Sequence, residues 1–231
     1  MAPLKEILAL PNANANAEQQ FQAIMARFNP ADIQCWSVLY QTNQARWDLG
    51  TPAPNLQRLI QQNVPKGTRL LVPGCGYGND ALALAEAGYE VFALDFAPEA
   101  LTVARNRPIS SGAKIHWIQG DLFQSRPEWE NYFGGWVELT CFCAIPPKRR
   151  SEYKQQLKKW LAPRGMFIGL FYIDLPAGGP PFNSTPEELK TLFSEDFYLN
   201  HFQLSSDSVE RRQGHEWEAI LKKKMIQEIL W

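Results

Sequence analysis

The run Arg69-Leu70-Leu71-Val72-Pro73-Gly74-Cys75-Gly76-Tyr77-Gly78-Asn79-Asp80 is an apolar strand passing into a glycine-rich turn. A helical stretch follows from Asp80 to Ala87, closed by Gly88. A second apolar strand, Tyr89 to Leu94, then delivers Asp95 at its tip. Strand, bare turn, helix and a second strand ending in an acid make the β-loop-α-β unit that grips nucleoside cofactors.

The glycine spacing narrows the ligand. A dinucleotide fingerprint, G-x-G-x-x-G, would put its third glycine at position 79, which is Asn. Here Gly74, Gly76 and Gly78 read G-x-G-x-G, which disfavours an NAD(P) oxidoreductase. A pyrophosphate needs a longer turn and a helix N-terminus aimed at it. The tighter bend suits a ligand without phosphate, such as S-adenosylmethionine, whose demethylated product is S-adenosylhomocysteine. Backbone N–H groups meet its amino-acid end while the bare turn packs under the ribose. Asp95, with Phe96 beside it, accepts from the ribose hydroxyls. Glycines in a tight βα turn are often only structural; the flanking strand, helix and acid make the cofactor reading the stronger one.

Outward from this unit, strands alternate with helices. Helical spacing covers Ala17 to Phe28, Ile33 to Gln44 and Leu56 to Asn63 before it, and Pro98 to Asn106, Arg149 to Leu161 and Thr185 to Phe193 after it. Strands are expected at Ile115–Gln119, Gly135–Ala144, Met166–Ile173, Phe197–Leu204 and Trp217–Lys222. The pattern predicts one α/β domain over residues 1–231. Its sheet would be doubly wound, Rossmann-like, mainly parallel and seven-stranded, with helices on both faces. Residues 1–16 read as a mobile or loosely packed leader and 17–50 as N-terminal helices and a lid. In such sheets ligands bind beyond the carboxyl ends of the strands. Those ends carry the glycine turn, Asp95, Asp121-Leu122, Cys143–Pro146 and Tyr172–Phe182. Asp121 is positioned to bond an adenine amino group while Leu122 packs on the ring; an exposed turn aspartate is the plainer alternative.

With 231 residues, 45% of them hydrophobic, the chain suffices for one well-buried domain. A net charge of −1 gives no electrostatic footprint for nucleic acid. No apolar run approaches a membrane span, and Ile7–Leu10 is too short for a secretory core. The expectation is a cytoplasmic protein, monomeric or a weak homo-oligomer. Cys141 and Cys143 sit two apart in a strand-like run, and neither the cysteines nor His116, His201 and His215 have metal-ligand spacing. Structural thiols and no metal are expected.

At this point the residues resemble the class I S-adenosylmethionine-dependent methyltransferases, and within them the thiopurine S-methyltransferase-like group that includes plant thiol and halide methyltransferases. The likeness runs from about Trp36 to Lys223. Its parts are Trp36 with Arg46-Trp47-Asp48-Leu49-Gly50, the Val72–Asp80 glycine motif, Phe142-Cys143-Ala144-Ile145, Gly178-Gly179-Pro180-Pro181-Phe182, and Asp207-Ser208 followed by Arg212-Gln213-Gly214-His215-Glu216. The resemblance implies cofactor contacts at Trp36, Trp47, Gly74, Asp95, Asp121 and Leu122, with Tyr40 beside them. Two positions depart from it. Leu139 stands where the plant enzymes carry a tyrosine, and Leu175-Pro176 where many members carry Asp-His.

Methyl transfer from a sulfonium is an in-line displacement in which positioning supplies much of the rate. Trp36 and Trp47 suit a dry aromatic enclosure, since indole faces attract a cation by about 0.5–2 kcal/mol; ordinary helix packing is their other explanation. A thiol titrates near pH 8.5, so it needs no strong base. The acceptor pocket is expected to be lined by Phe142, Tyr172, Asp174, Phe182 and Arg212. Tyr172 or Asp174 would orient or deprotonate a nucleophile, and Arg212 would attract an anion. A core aromatic and a surface charge are the plainer readings of Tyr172 and Arg212. The sequence thus points to a methyltransferase acting on a small nucleophile, a thiol or thiocyanate or halide. A small-molecule O- or N-methyltransferase and a non-enzymatic cofactor- or partner-binding module are the alternatives.

Overall fold

The computed structural model describes residues 16–175 and 178–225. Its strands are β1 (Arg69–Pro73), β2 (Glu90–Asp95), β3 (Lys114–Gln119), β4 (Phe133–Leu139), β5 (Leu161–Tyr172), β6 (Phe197–Leu204) and β7 (Glu216–Lys223). They form one seven-stranded sheet in the order β3-β2-β1-β4-β5-β7-β6. Every neighbouring pair from β3 to β5 is parallel, and β7 runs antiparallel between β5 and β6. The expected mainly parallel seven-stranded sheet is therefore present. Its strand order reverses between β1 and β4, where a crevice must open at the carboxyl edge.

Helices α1 (Ala17–Arg27), α2 (Ile33–Gln41), α3 (Pro54–Asn63), α4 (Asn79–Glu86), α5 (Pro98–Arg105), α6 (Arg150–Trp160) and α7 (Pro186–Ser194) complete the chain. Successive strand residues point to opposite faces, so each face has its own core. On one face Trp136, Phe167 and Phe171 meet Tyr153, Leu157 and Trp160 of α6 and Leu189 and Phe193 of α7. On the other, Leu70, Val72, Val137 and Ile168 meet Leu56, Leu59 and Ile60 of α3 and Leu84 of α4. Each such fully buried side chain contributes about 1.5–3 kcal/mol of transfer free energy. The N-terminal helices have a small core of their own, Phe21, Ile24, Cys35, Val38 and Leu39.

Several element boundaries differ from the sequence reading, and four of the differences have a local reason. Residues 1–15 of the expected leader lie outside the described residues, and Asn16 is no leader residue. It caps α1 reciprocally with Gln19, side chain to backbone in both directions. Helix α2 stops at Gln41 because Asn43 turns left-handed, at φ 56°. Strand β5 starts at Leu161 rather than Met166, accommodated by a register shift in β4 and by Arg164 at φ 60°. Strand β4 ends at Leu139, not Ala144. The buried Glu138 carboxylate accepts the N–H groups of Cys141 (2.8 Å) and Phe142 (2.7 Å), folding the chain into a turn. Thr140 takes φ 56° there, and Phe142–Ala144 is a short 3-10 helix, so Cys141 and Cys143 do not share a strand face.

Candidate active site

The glycine turn is shaped by what packs against it. Gly74, Gly76 and Gly78 all have positive φ, at 61°, 55° and 76°. A Cβ on Gly78 would lie 2.4 Å from the Trp117 ring, and one on Gly74 would lie 3.0 Å from Cys141 Sγ. Glycine is therefore required both by backbone conformation and by space. The turn brings the Gly76 N–H to Asp95 Oδ2 at 2.8 Å, while Asp95 Oδ1 accepts from the Ala97 N–H at 2.9 Å. Burial pushes the Asp95 carboxyl up to about 6, against the opposing pull of the Ala97, Gly76 and Phe96 N–H groups.

A cavity of about 570 Å³ opens over this turn at the carboxyl edge of the sheet. Of the residues singled out for the cofactor, Trp36, Tyr40, Trp47, Gly74, Asp95, Phe96, Asp121 and Leu122 line it. Gly76 and Gly78 do not. They stand behind the wall, Gly76 against the Tyr40 hydroxyl and Gly78 as the residue preceding α4. Their work is to shape the bend and to aim one N–H at Asp95.

The roof is aromatic. Trp47 meets Trp36 edge-on at 5.2 Å and Tyr40 at 5.5 Å, and Tyr40 meets Tyr77 at 5.2 Å. Trp36 spends its indole N–H on the Pro30 carbonyl at 2.8 Å, so its ring is held in one orientation. Asn79, the residue that breaks the dinucleotide spacing, binds the roof to the floor: its Nδ2 donates to Asp48 Oδ1 at 2.7 Å.

Past the turn, the wall is built from Thr140, Cys141, Cys143, Tyr172, Leu175, Pro180, Pro181 and Arg212. Burial pushes the Cys141 thiol well above its ordinary value and the Cys143 thiol up to about 12. Both are therefore neutral walls and not nucleophiles. Tyr172, at the end of β5, lies 5.9 Å from the Arg212 guanidinium. Arg212 is buried and bonds Glu216 Oε1 at 3.0 Å and the Trp47 carbonyl at 2.5 Å. The other expected acceptor-pocket residues stand elsewhere. Phe142 packs in the aromatic core against Tyr153 and Phe171, Asp174 is exposed at φ 56°, and Phe182 is not on the wall. Leu139 packs on the aliphatic layer, and Pro176 lies outside the described residues.

Sequence reasoning missed Thr140 and Cys141, because a strand was expected to run through them. The signal was Glu138, a carboxylate inside an apolar run, which can be buried only if backbone donors bend to it. It also missed Arg211, which no motif singled out.

The wall fits an adenosyl group on its own evidence. A carboxylate accepts about four hydrogen bonds. Asp95 spends one oxygen on each of two backbone donors and still lines the cavity, leaving capacity for the two hydroxyls of a ribose. The glycine bend is too short for a pyrophosphate and the roof is aromatic, as a sulfonium cation favours.

Comparison with known proteins agrees with this geometry. The sequence model of the thiopurine S-methyltransferase family matches residues 31–228. Thiocyanate methyltransferase 1 of Arabidopsis thaliana is 33% identical over 197 residues, covering 80% of this chain and 84% of its own. Thiopurine S-methyltransferase of Pseudomonas aeruginosa is 27% identical, covering 73% and 84%. Among solved structures, the Burkholderia thailandensis 1,6-didemethyltoxoflavin N1-methyltransferase, bound to S-adenosylhomocysteine, shares the fold at a TM-score of 0.67, with 17% identity over 93% of each chain. By its glycine turn, its sheet and a family match over most of its length, the chain belongs to the thiopurine S-methyltransferase family of S-adenosylmethionine-dependent methyltransferases.

Proposed function

We propose that the methyl acceptor is a small, soft nucleophile, a thiol or an inorganic anion such as thiocyanate or halide. The observation that carries this reading is the composition of the acceptor wall. Around Tyr172, among the described residues, the cavity lining offers two neutral thiols, a phenol, the Thr140 hydroxyl, three arginines and apolar groups; His215 stands behind the lining, edge-on to the Tyr172 ring at 5.7 Å, with its Nδ1 on the Ile173 carbonyl at 3.1 Å. The lining carboxylates are committed elsewhere. Glu18 pairs with Arg46 at 2.5 Å, Asp95 bonds the glycine turn, and Asp121 caps its own turn through the Phe123 N–H. With no histidine or lysine on the lining itself, the wall favours acceptors that need no base. The names of the Arabidopsis and Pseudomonas relatives support the same chemistry.

When bound, S-adenosylmethionine supplies an electrophilic methyl on a sulfonium, open to in-line displacement. The chain's own residues then have these roles. Asp95 takes the ribose hydroxyls, and Asp121 with Leu122 takes the adenine. Trp36, Tyr40 and Trp47 exclude water and present ring faces and edges to the sulfonium side. Tyr172 orients the acceptor through its hydroxyl. Arg212, already neutralised by Glu216, contributes shape and a weak positive field rather than a free charge. Asp174 has no role in this reading. The four free thiols suit a reducing compartment, so we assign the protein to the cytoplasm.

The test is a turnover panel with methyl-labelled S-adenosylmethionine offered to thiols, thiocyanate, iodide, phenols and amines. Higher kcat/KM for the sulfur or halide acceptors supports the assignment. Faster methylation of phenols or amines would replace it with O- or N-methyl transfer.

A further inference from the structure

The roof of the cavity is joined to the body by an unusual set of bonds. Three consecutive carbonyls of the lid loop, those of Arg46, Trp47 and Asp48, accept hydrogen bonds from two consecutive arginines more than 160 residues later in the chain. Arg211 Nη1 donates to the Arg46 carbonyl at 3.1 Å, and its Nη2 donates to the Asp48 carbonyl. Arg212 Nη2 donates to the Trp47 carbonyl between them at 2.5 Å. Arg212 is itself anchored by Glu216, which also accepts from Asn55 of α3 at 3.2 Å.

The arginine bonds are the largest set of polar ties from the lid to the body. The core of α1 and α2 is separate from both sheet cores; Tyr40 packs on Ala97 and Ala100, Leu49 packs on the aliphatic layer, Asn79 donates to Asp48 and Gln41 donates to Glu99. Polar ties of this kind, partly open to water, break and re-form far more readily than a core. A guanidinium fork matches two carbonyls at a set spacing, which an ammonium cannot do. Arg211 is exposed and lies at the cavity rim beside Trp47. It is placed to hold the roof without contacting the reacting atoms.

We propose that Arg211 is a positioning residue. With Arg212 it straps the Arg46–Asp48 loop over the cavity, and release of this strap admits the cofactor and frees the product. The proposal rests on the cavity being the cofactor site, and the experiment separates the two claims.

Arg211→Gln and Arg211→Lys are compared with wild type in two measurements. The first is amide hydrogen exchange of the cofactor-free protein. Both variants should show faster exchange in residues 36–50, with the sheet unchanged. The second is stopped-flow release of S-adenosylhomocysteine, followed by tryptophan fluorescence. Both variants should release it about tenfold faster, well below the full worth of two charged bonds because Arg211 is exposed and water replaces them. KM for S-adenosylmethionine should rise while kcat is unchanged or higher, since the acceptor wall is intact. Arg211→Lys should be as impaired as Arg211→Gln. Unchanged lid exchange overturns the strap. Faster lid exchange with wild-type release overturns its gating role, and full rescue by Lys overturns the fork. Wild-type protein that fails to bind S-adenosylhomocysteine overturns the cofactor reading, and the gating role with it, whatever the lid exchange shows.

Discussion

Around Asp95 the cavity wall comes from one compact stretch, the β1 turn and the tip of β2, with Asp121 and Leu122 from the next strand end. Around Tyr172 it comes from the turn after β4, the end of β5, the Gly-Gly-Pro-Pro loop and the turn before β7. The first half is made largely by backbone: three glycines at positive φ, a carboxylate held by two N–H groups and a helix start. The second is made by side chains, whose meeting depends on where several separate elements end. A backbone site leaves its mark in residue spacing, because only glycine satisfies its φ and its clearances. A side-chain site leaves a mark only in tertiary structure. On the proposed reading, the first half holds the cofactor and the second sets the acceptor.

The largest effect that would sharpen this contrast is at Asp95. Asp95→Ala removes the proposed ribose acceptor and orphans the Gly76 and Ala97 donors. Affinity for S-adenosylhomocysteine by calorimetry should fall at least about 100-fold, from two bonds to a charged group. In wild type the affinity should also weaken as pH drops below about 6, where the Asp95 carboxyl takes up a proton, and that weakening should vanish in Asp95→Asn. If Asp95→Ala binds normally, the cofactor half is wrongly drawn.

Next is the turn itself. Gly78→Ala combines φ 76° with a Cβ 2.4 Å from the Trp117 ring. Strain and overpacking together should cost about 3 kcal/mol, lowering Tm by roughly 6–12 °C. Gly50→Ala is the control. It has φ 72° but nothing within 4 Å of a Cβ, and it should lose no more than about half as much. Equal losses would mean that backbone conformation alone explains the glycine.

The turn after β4 separates the halves, and Glu138 builds it. The carboxyl is fully buried, bonded to Tyr153 at 2.6 Å, and burial pushes it from 4.5 up to about 7. The folded protein then holds this proton more tightly than the unfolded chain. Its contribution to stability is complete below about pH 4.5 and is lost as pH rises through 7. Glu138→Gln keeps an acceptor for both N–H groups and has no proton to lose. Relative to that variant, wild type should lose on the order of 3 kcal/mol between pH 4.5 and 8, measured by denaturant titration. A constant difference would show that the turn is not held by a titrating acid.

The smallest effects lie in the acceptor half. Tyr172→Phe should lower kcat/KM for the best acceptor about tenfold, the worth of one hydrogen bond at a reacting group. Asp174→Asn should change nothing, since the residue is exposed and off the wall. The reverse result would move the acceptor to the outer loop.

The same division explains what could be read before the structure was seen. The sheet, its seven strands and both faces of helices follow from hydrophobic periodicity. The glycine turn with Asp95 follows from spacing. Residues at the acceptor end were legible as types but not as neighbours. Phe142 and Asp174 sit at strand ends, yet one turns into the core and the other out to solvent. Cys141 entered the wall because a buried glutamate bends the chain, and Arg211 became a strap because the lid loop lies within its reach. The first has a local mark in Glu138, a carboxylate within an apolar run; the second has none. Both need the partner segment's position, which only the assembled sheet supplies.

The central claim is that the bend at Gly74–Gly78 and the Asp95 carboxylate hold an adenosyl cofactor beneath the Trp36–Trp47 roof. The direct test is a crystal structure with S-adenosylhomocysteine. The account predicts the ribose hydroxyls within hydrogen-bond distance of Asp95, the adenine beside Asp121 and Leu122, and the sulfur facing Tyr172. Density for the nucleoside elsewhere, or an Asp95 carboxylate that makes no contact with it, would contradict the account.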